Sequence, residues 1–179
     1  MTTLNKPDLL AAMAAHVRGT GLAGASLRPL ARAAGTSDRM LIYHFGTKSA
    51  LIAALLAHLS DEMLSALSAA LPQPRAASEA RCAVEIVGLL RTPTFRPYLR
   101  VWFDIVSAAG RAEGDHVQAA QRILSGQVDW IASRLPEGTS RPNLRAREML
   151  ALIQGVLVLE VAGMTEAADR AMARFYPAG

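Results

Sequence analysis

The sequence contains one cysteine, Cys82, so no internal disulfide can form. That excludes a disulfide-stapled secreted scaffold and fits a reducing, cytoplasmic setting. No run of about 18 or more apolar residues occurs, so no membrane span is expected. The first residues, MTTLNKPDLLAAMAAHVRG, lack the basic-then-apolar order of a secretory signal. Repeats and low-complexity tracts are absent, and glycine and proline are scattered. Also missing are a nucleophile elbow, a phosphate-binding loop and a dinucleotide fingerprint. His16, His44, His58 and His116 show no metal-ligand spacing, and Cys82 stands alone in an apolar stretch. The expectation is therefore a protein that is not an enzyme and carries no metal or cofactor.

What is present is basic charge at one end. Lys6, Arg18, Arg28, Arg32, Arg39 and Lys48 face only Asp8 and Asp38 within the first fifty residues. The remaining residues carry thirteen basic and thirteen acidic side chains. The whole formal charge of +4 thus belongs to the N-terminal segment, which suits a polyanion.

Helix signals dominate, so the fold class is all-α. Asn5, Pro7 and Asp8 mark a helix start, and Leu10, Met13, Ala14 and Val17 form one buried stripe. Gly19 and Gly21 stop it. Ser26 is placed to cap a second helix, with Leu27, Leu30, Ala31 and Ala34 at helical spacing and Gly35 at its end. Ser37 caps a short third helix reaching about His44. Gly46 breaks the chain, and Thr47 caps a long helix to about Leu71. Five further helices are expected at roughly 76–91, 94–109, 115–134, 143–163 and 165–175, about nine in all.

Two short helices joined by a tight glycine-containing turn form a helix-turn-helix. Residues 1–46 then make a three-helix DNA-binding head, and residues 47–179 a helical ligand-binding and dimerisation body. Leu30, Ala31, Ala34 and Leu41 are small or apolar enough for the two helices to cross closely. Thr36, Ser37, Arg39, Met40, Tyr43 and His44 are left to face DNA. Arg39 can donate two hydrogen bonds to a guanine edge, and Met40 can pack on a thymine methyl. Thr36, Tyr43 and His44 suit phosphates. Arg28 adds charge from the preceding helix, and Lys48 adds it at the start of the fourth. Asp38 is better used at its own helix N-terminus than against DNA.

The run ASLRPLARAAGTSDRMLIYHFGTKSAL, residues 25–51, resembles the signature of the tetracycline-repressor (TetR) family. Leu30-Ala31, Ala34-Gly35, Ser37, Leu41, His44-Phe45, Lys48 and Leu51 carry the likeness. The resemblance implies a dimeric regulator of transcription that binds operator DNA and answers to a small molecule. It also implies that the last two long helices pair with those of a second subunit. Ile42 stands where the family commonly has a phosphate-contacting tyrosine, a role open to Tyr43. Ser49 replaces a frequent glutamate, and Asp38-Arg39-Met40 is an uncommon recognition triplet.

The body supports pairing independently. Residues 149–164, MLALIQGVLVLEVAGM, are apolar on nearly every face, so both sides must be covered. Leu152, Val156, Leu157, Leu159, Met172 and Phe175 are the expected homodimer contacts, with Gly155, Ala162 and Gly163 allowing close approach. Met63, Phe95, Tyr98, Trp102, Phe103, Trp130, Met149 and Leu152 are the expected lining of a largely apolar effector pocket. Glu160, Asp104, Gln154 and His116 are its polar candidates. Glu160 can alternatively pair with an arginine across the dimer interface. The expected function is a repressor released by its effector. The alternative is an apolar-ligand carrier or protein-interaction module that has lost DNA binding, for which Ile42 and Asp38 leave room.

Overall fold

The computed structural model describes residues 5–71, 73–111 and 116–177. Among them are nine α-helices and no strand: α1 (Lys6–Thr20), α2 (Leu27–Ala33), α3 (Asp38–Phe45), α4 (Lys48–Ala70), α5 (Glu79–Leu90), α6 (Arg96–Gly110), α7 (His116–Arg134), α8 (Pro142–Val161) and α9 (Thr165–Phe175). A 3₁₀ turn, Leu22–Gly24, follows α1. The chain forms two compact units. One takes residues up to 63 together with 93–123; the other takes 64–92 and 124–179. Helices α4 and α7 each run from one unit into the other.

In the first unit the caps are local chemistry. Asn5 accepts the amide of Asp8 at 2.9 Å, and Thr47 accepts that of Ala50 at 3.0 Å. The apolar stripe of α1 is Leu9, Met13, Ala14 and Val17, all buried. Leu9 therefore takes the place expected of Leu10, which is half-buried. Helix α1 packs on α2, on the 3₁₀ turn and on α6, and α2 packs on α3. The carboxylate of Asp104 on α6 accepts the amide of Leu22 at 2.9 Å. A Cβ at Gly21 would lie 2.8 Å from that carboxylate oxygen, so only glycine fits there. Arg18 on α1 pairs with Glu62 on α4, and its guanidinium lies 5.5 Å from the Tyr98 ring centroid.

Helix α4 is long and apolar enough, by length and composition, to cross a membrane. A search for unbroken apolar runs misses it because polar residues interrupt the alanines and leucines. Its Leu51, Leu55, Leu59, Met63 and Leu67 recur every fourth residue and are buried, as in a core helix.

In the second unit α8 packs on α9 and on α5. Arg91, just past α5, donates to Glu160 on α8 and, at 2.6 Å, to Asp169 on α9. The α4–α5 connection is pinned to the end of α7. The Arg134 guanidinium donates to the Gln73 carbonyl, Ala76 N–H donates to the Arg134 carbonyl at 2.8 Å, and Arg75 donates to the Leu135 carbonyl at 2.9 Å. These bonds satisfy the carbonyls that a helix C-terminus leaves without partners.

Candidate nucleic-acid interface

The reading face begins at the turn between α2 and α3. Gly35 has φ 64°, and the Thr36 amide donates back to Ala31 O at 2.9 Å while Gly35 N–H donates to Arg32 O at 3.1 Å. That pair of bonds reverses the chain in two residues, and the left-handed position favours glycine. Ser37 then caps α3, accepting the Met40 amide at 3.3 Å, and Asp38 sits in the favourable first turn.

Leu41 is wholly buried and anchors α3 against Leu30, Ala31 and Ala34, which are buried too. Successive helical residues are about 100° apart, so Arg39 and Tyr43, each two positions from Leu41, point away from it. Arg39 is exposed, Met40 is 41% exposed and Tyr43 is 78% exposed. Ser37 is exposed, and Thr36 and His44 are half-buried beside them. The Tyr43 and His44 rings meet edge to face at 5.4 Å. Ile42 is half-buried, so Tyr43 is the tyrosine this face presents. At the far end of α3 the Lys6 ammonium lies 5.7 Å from the Phe45 ring centroid, holding α3 to α1.

Arg28 and Lys48 are exposed in the same unit. Among the described residues, Arg28, Arg32, Arg39 and Lys48 make no ion pair with a carboxylate. Arg18 is the exception, neutralised by Glu62. A helix with an exposed mixed apolar and donor face, set on a tight turn and flanked by unpaired cations, is a helix-turn-helix DNA-binding head.

Comparison with known proteins places that head. Residues 9–55 match the pattern of bacterial regulatory proteins of the tetR family. A regulator described as the HTH-type transcriptional regulator BetI, from Paraburkholderia phymatum, is 26% identical over 161 residues, covering 87% of this chain and 81% of that protein. A crystal structure of a TetR-family transcriptional regulator from Rhodococcus sp. superposes with TM-score 0.67 at 22% identity, covering 94% of each chain. The multidrug binding protein EbrR, complexed with imidazole, superposes with TM-score 0.66 at 22% identity, covering 97% of this chain and 90% of that one. Residues 9–55 thus carry the tetR-family pattern, and the chain as a whole is similar in fold to regulators of that family.

The expected effector residues have other work in the structure. In the first unit Phe95, Trp102 and Met63 are buried, Phe103 is half-buried, and the Tyr98 ring stacks at a tilt on Phe95 with Arg18 over it. Asp104 is spent on the Leu22 amide. In the second unit Met149 is fully buried, and the Trp130 indole N–H donates to Ser68 at 2.7 Å. Glu160 pairs with Arg91 of its own chain. Two cavities are described. One, of about 200 Å³ in the first unit, has His116, Lys48 and Leu56 in its wall. The other, of about 460 Å³ in the second, lies among Glu79, Arg145, Leu152 and Phe175. Of the expected effector residues, His116 lines the first and Leu152 the second, and none of the others lines either.

The dimer candidates also divide. Val156, Leu157 and Met172 are buried within their own chain, so they are core residues and not contacts for a partner. Helix α8 turns Val156 and Leu157 inward where α5 and α9 pack against it, and α9 buries Met172 from its own side. Leu152 and Leu159 are half-buried, and Phe175 is 67% exposed. The outward side of α8 and its C-cap carry Leu144, Ala151, Gly155, Val158 and Ala162, spaced by seven, four, three and four and all exposed. Val161 and Met164 extend it. Sequence periodicity missed this split because both sides of α8 are apolar.

Proposed function

We propose that the protein is a ligand-released repressor that binds a two-fold operator as a homodimer. The observation that carries this reading is the face of α3: Arg39, Met40 and Tyr43 exposed on a helix held from behind by Leu41. Arg39 reads a guanine edge and Met40 a thymine methyl. Thr36, Ser37, Tyr43, His44, Arg28 and Lys48 hold phosphates, which fixes register but not sequence. Residues 1–46 do the reading, and 47–179 sense and dimerise in the cytoplasm.

Two copies are needed because one short helix contacts too few base pairs for a unique site. What supports pairing is the exposed small and apolar side of α8, with Val158, Val161, Met164 and Phe175 uncovered. Large apolar groups side by side on a surface mark an interaction face. Two recognition helices then enter major grooves about one turn, roughly 34 Å, apart. A small molecule that prefers another arrangement of the body shifts that spacing and releases DNA, and DNA weakens the small molecule in return. EbrR, of the same fold, is a multidrug binding protein, which supports small-molecule sensing here.

Gel-shift titration with genomic fragments tests the reading. Sequence-selective, salt-sensitive shifts by a dimer are expected. No shift on any fragment at low salt would mean a ligand carrier or interaction module instead.

A further inference from the structure

The 200 Å³ cavity of the first unit shares one residue, Lys48, with the reading face. Its floor is apolar: Ile52 and Leu56 from α4, with Ala119 from α7. Its rim is polar: Lys48 and Ser49 one turn before Ile52, and His116 one turn before Ala119. Residues four apart on α4 and three apart on α7 share a face, so both helices turn the same order of polar and apolar groups toward the space. Among the described residues no carboxylate lines it.

We infer that this cavity binds a small organic monoanion, a carboxylate on an apolar body about the size of a benzene ring. The volume sets the size. A dry apolar cavity of about 150 Å³ holds benzene, so 200 Å³ leaves room for a ring and a carboxyl group. The rim sets the charge: the Lys48 ammonium and the Ser49 hydroxyl are donors at the open end, and burial of the ring on Leu56 and Ala119 supplies the apolar contribution. A dianion has only one lysine to meet it here, and a cation meets repulsion.

The site deepens the ligand-released reading, on which its regulatory meaning rests. Lys48 is one of the cations assigned to operator phosphate. A carboxylate bound beside it competes with that phosphate directly, without a change carried through the body.

Calorimetric titration of the full chain with sodium benzoate and with benzamide, at fixed ionic strength, tests the site. Benzoate is expected to bind once per chain and about tenfold or more tighter than benzamide. Lys48→Met should bring the two affinities together. Ala53→Met, which fills the cavity from its α4 wall, should weaken both by about tenfold while the thermal midpoint holds. Equal binding of the two probes by the unaltered protein, no saturable benzoate binding, or full binding by Ala53→Met would overturn the inference. Gel shifts with and without benzoate separate it from the regulator reading. A protein that shifts DNA but takes no benzoate overturns the site alone. One that binds benzoate by these criteria but shifts no DNA keeps the site and overturns the regulator.

Discussion

Helices α3 and α8 both show apolar side chains to solvent, but on different backgrounds. On α3, Met40 and Tyr43 lie among Arg39, Ser37 and half-buried His44, with unpaired Arg28 and Lys48 in the same unit. On α8, Val158 lies among Ala151, Gly155 and Ala162, with Val161 beside it. Donors mixed with apolar groups can match a groove edged by phosphates and bases. Small residues around branched ones offer a surface with almost nothing to hydrogen-bond, which suits a copy of itself. Exposure alone does not distinguish a DNA face from a protein face; the neighbours of the exposed apolar group do.

That contrast breaks most sharply one residue pair inward. Val156 is 1% exposed, whereas Val158 is 55% exposed on the same helix. Val156→Lys should cost roughly 4 kcal/mol or prevent folding, since it buries an unpaired ammonium. Thermal unfolding followed by circular dichroism measures it, and a Val156→Lys protein of normal stability would falsify the core assignment. Val158→Glu should fold normally yet dissociate the dimer, raising its dissociation constant by about a hundredfold or more. Sedimentation equilibrium reads that directly. An unchanged dimer would mean that α8 pairs with nothing.

On the other helix the effects are smaller and specific. Arg39→Ala should weaken operator binding by about 1–3 kcal/mol and relax preference at one base pair, with dimerisation untouched. An equal loss on random DNA would make Arg39 a phosphate contact only. The smallest effect concerns Cys82, a free thiol pushed by burial from 9.0 up to about 11. Its thiolate fraction near neutral pH should be roughly a hundredfold below that of the unfolded chain, so alkylation of the native protein should be correspondingly slow. The thiol is favoured protonated in the fold, so its contribution is complete below pH 9 and fades as pH rises toward 11.

The head was legible because its signals are local. Ser37 and Thr47 cap within three residues, Gly35 turns the chain where a left-handed residue is required, and Leu41 is the buried residue of α3. The body was less so. An aromatic on a helix reads the same whether it packs in a core or lines a pocket, and Trp130 and Tyr98 turned out to be engaged with Ser68 and Arg18. Glu160 needed a cation, as a half-buried carboxylate does, but its sequence neighbourhood does not say that Arg91 supplies it. The pairing spans 69 positions, beyond any local pattern.

By itself, then, the amino-acid order determined the helical class, the helix ends and the exposed, charged side of α3. Each depends on groups within about one turn of one another, where spacing along the chain is also spacing in space. Tertiary packing decided which side of α8 is core, which acid meets which base and where the cavities lie. Those outcomes depend on which surfaces the distant helices cover, and a helix that is apolar all round carries no internal record of that choice.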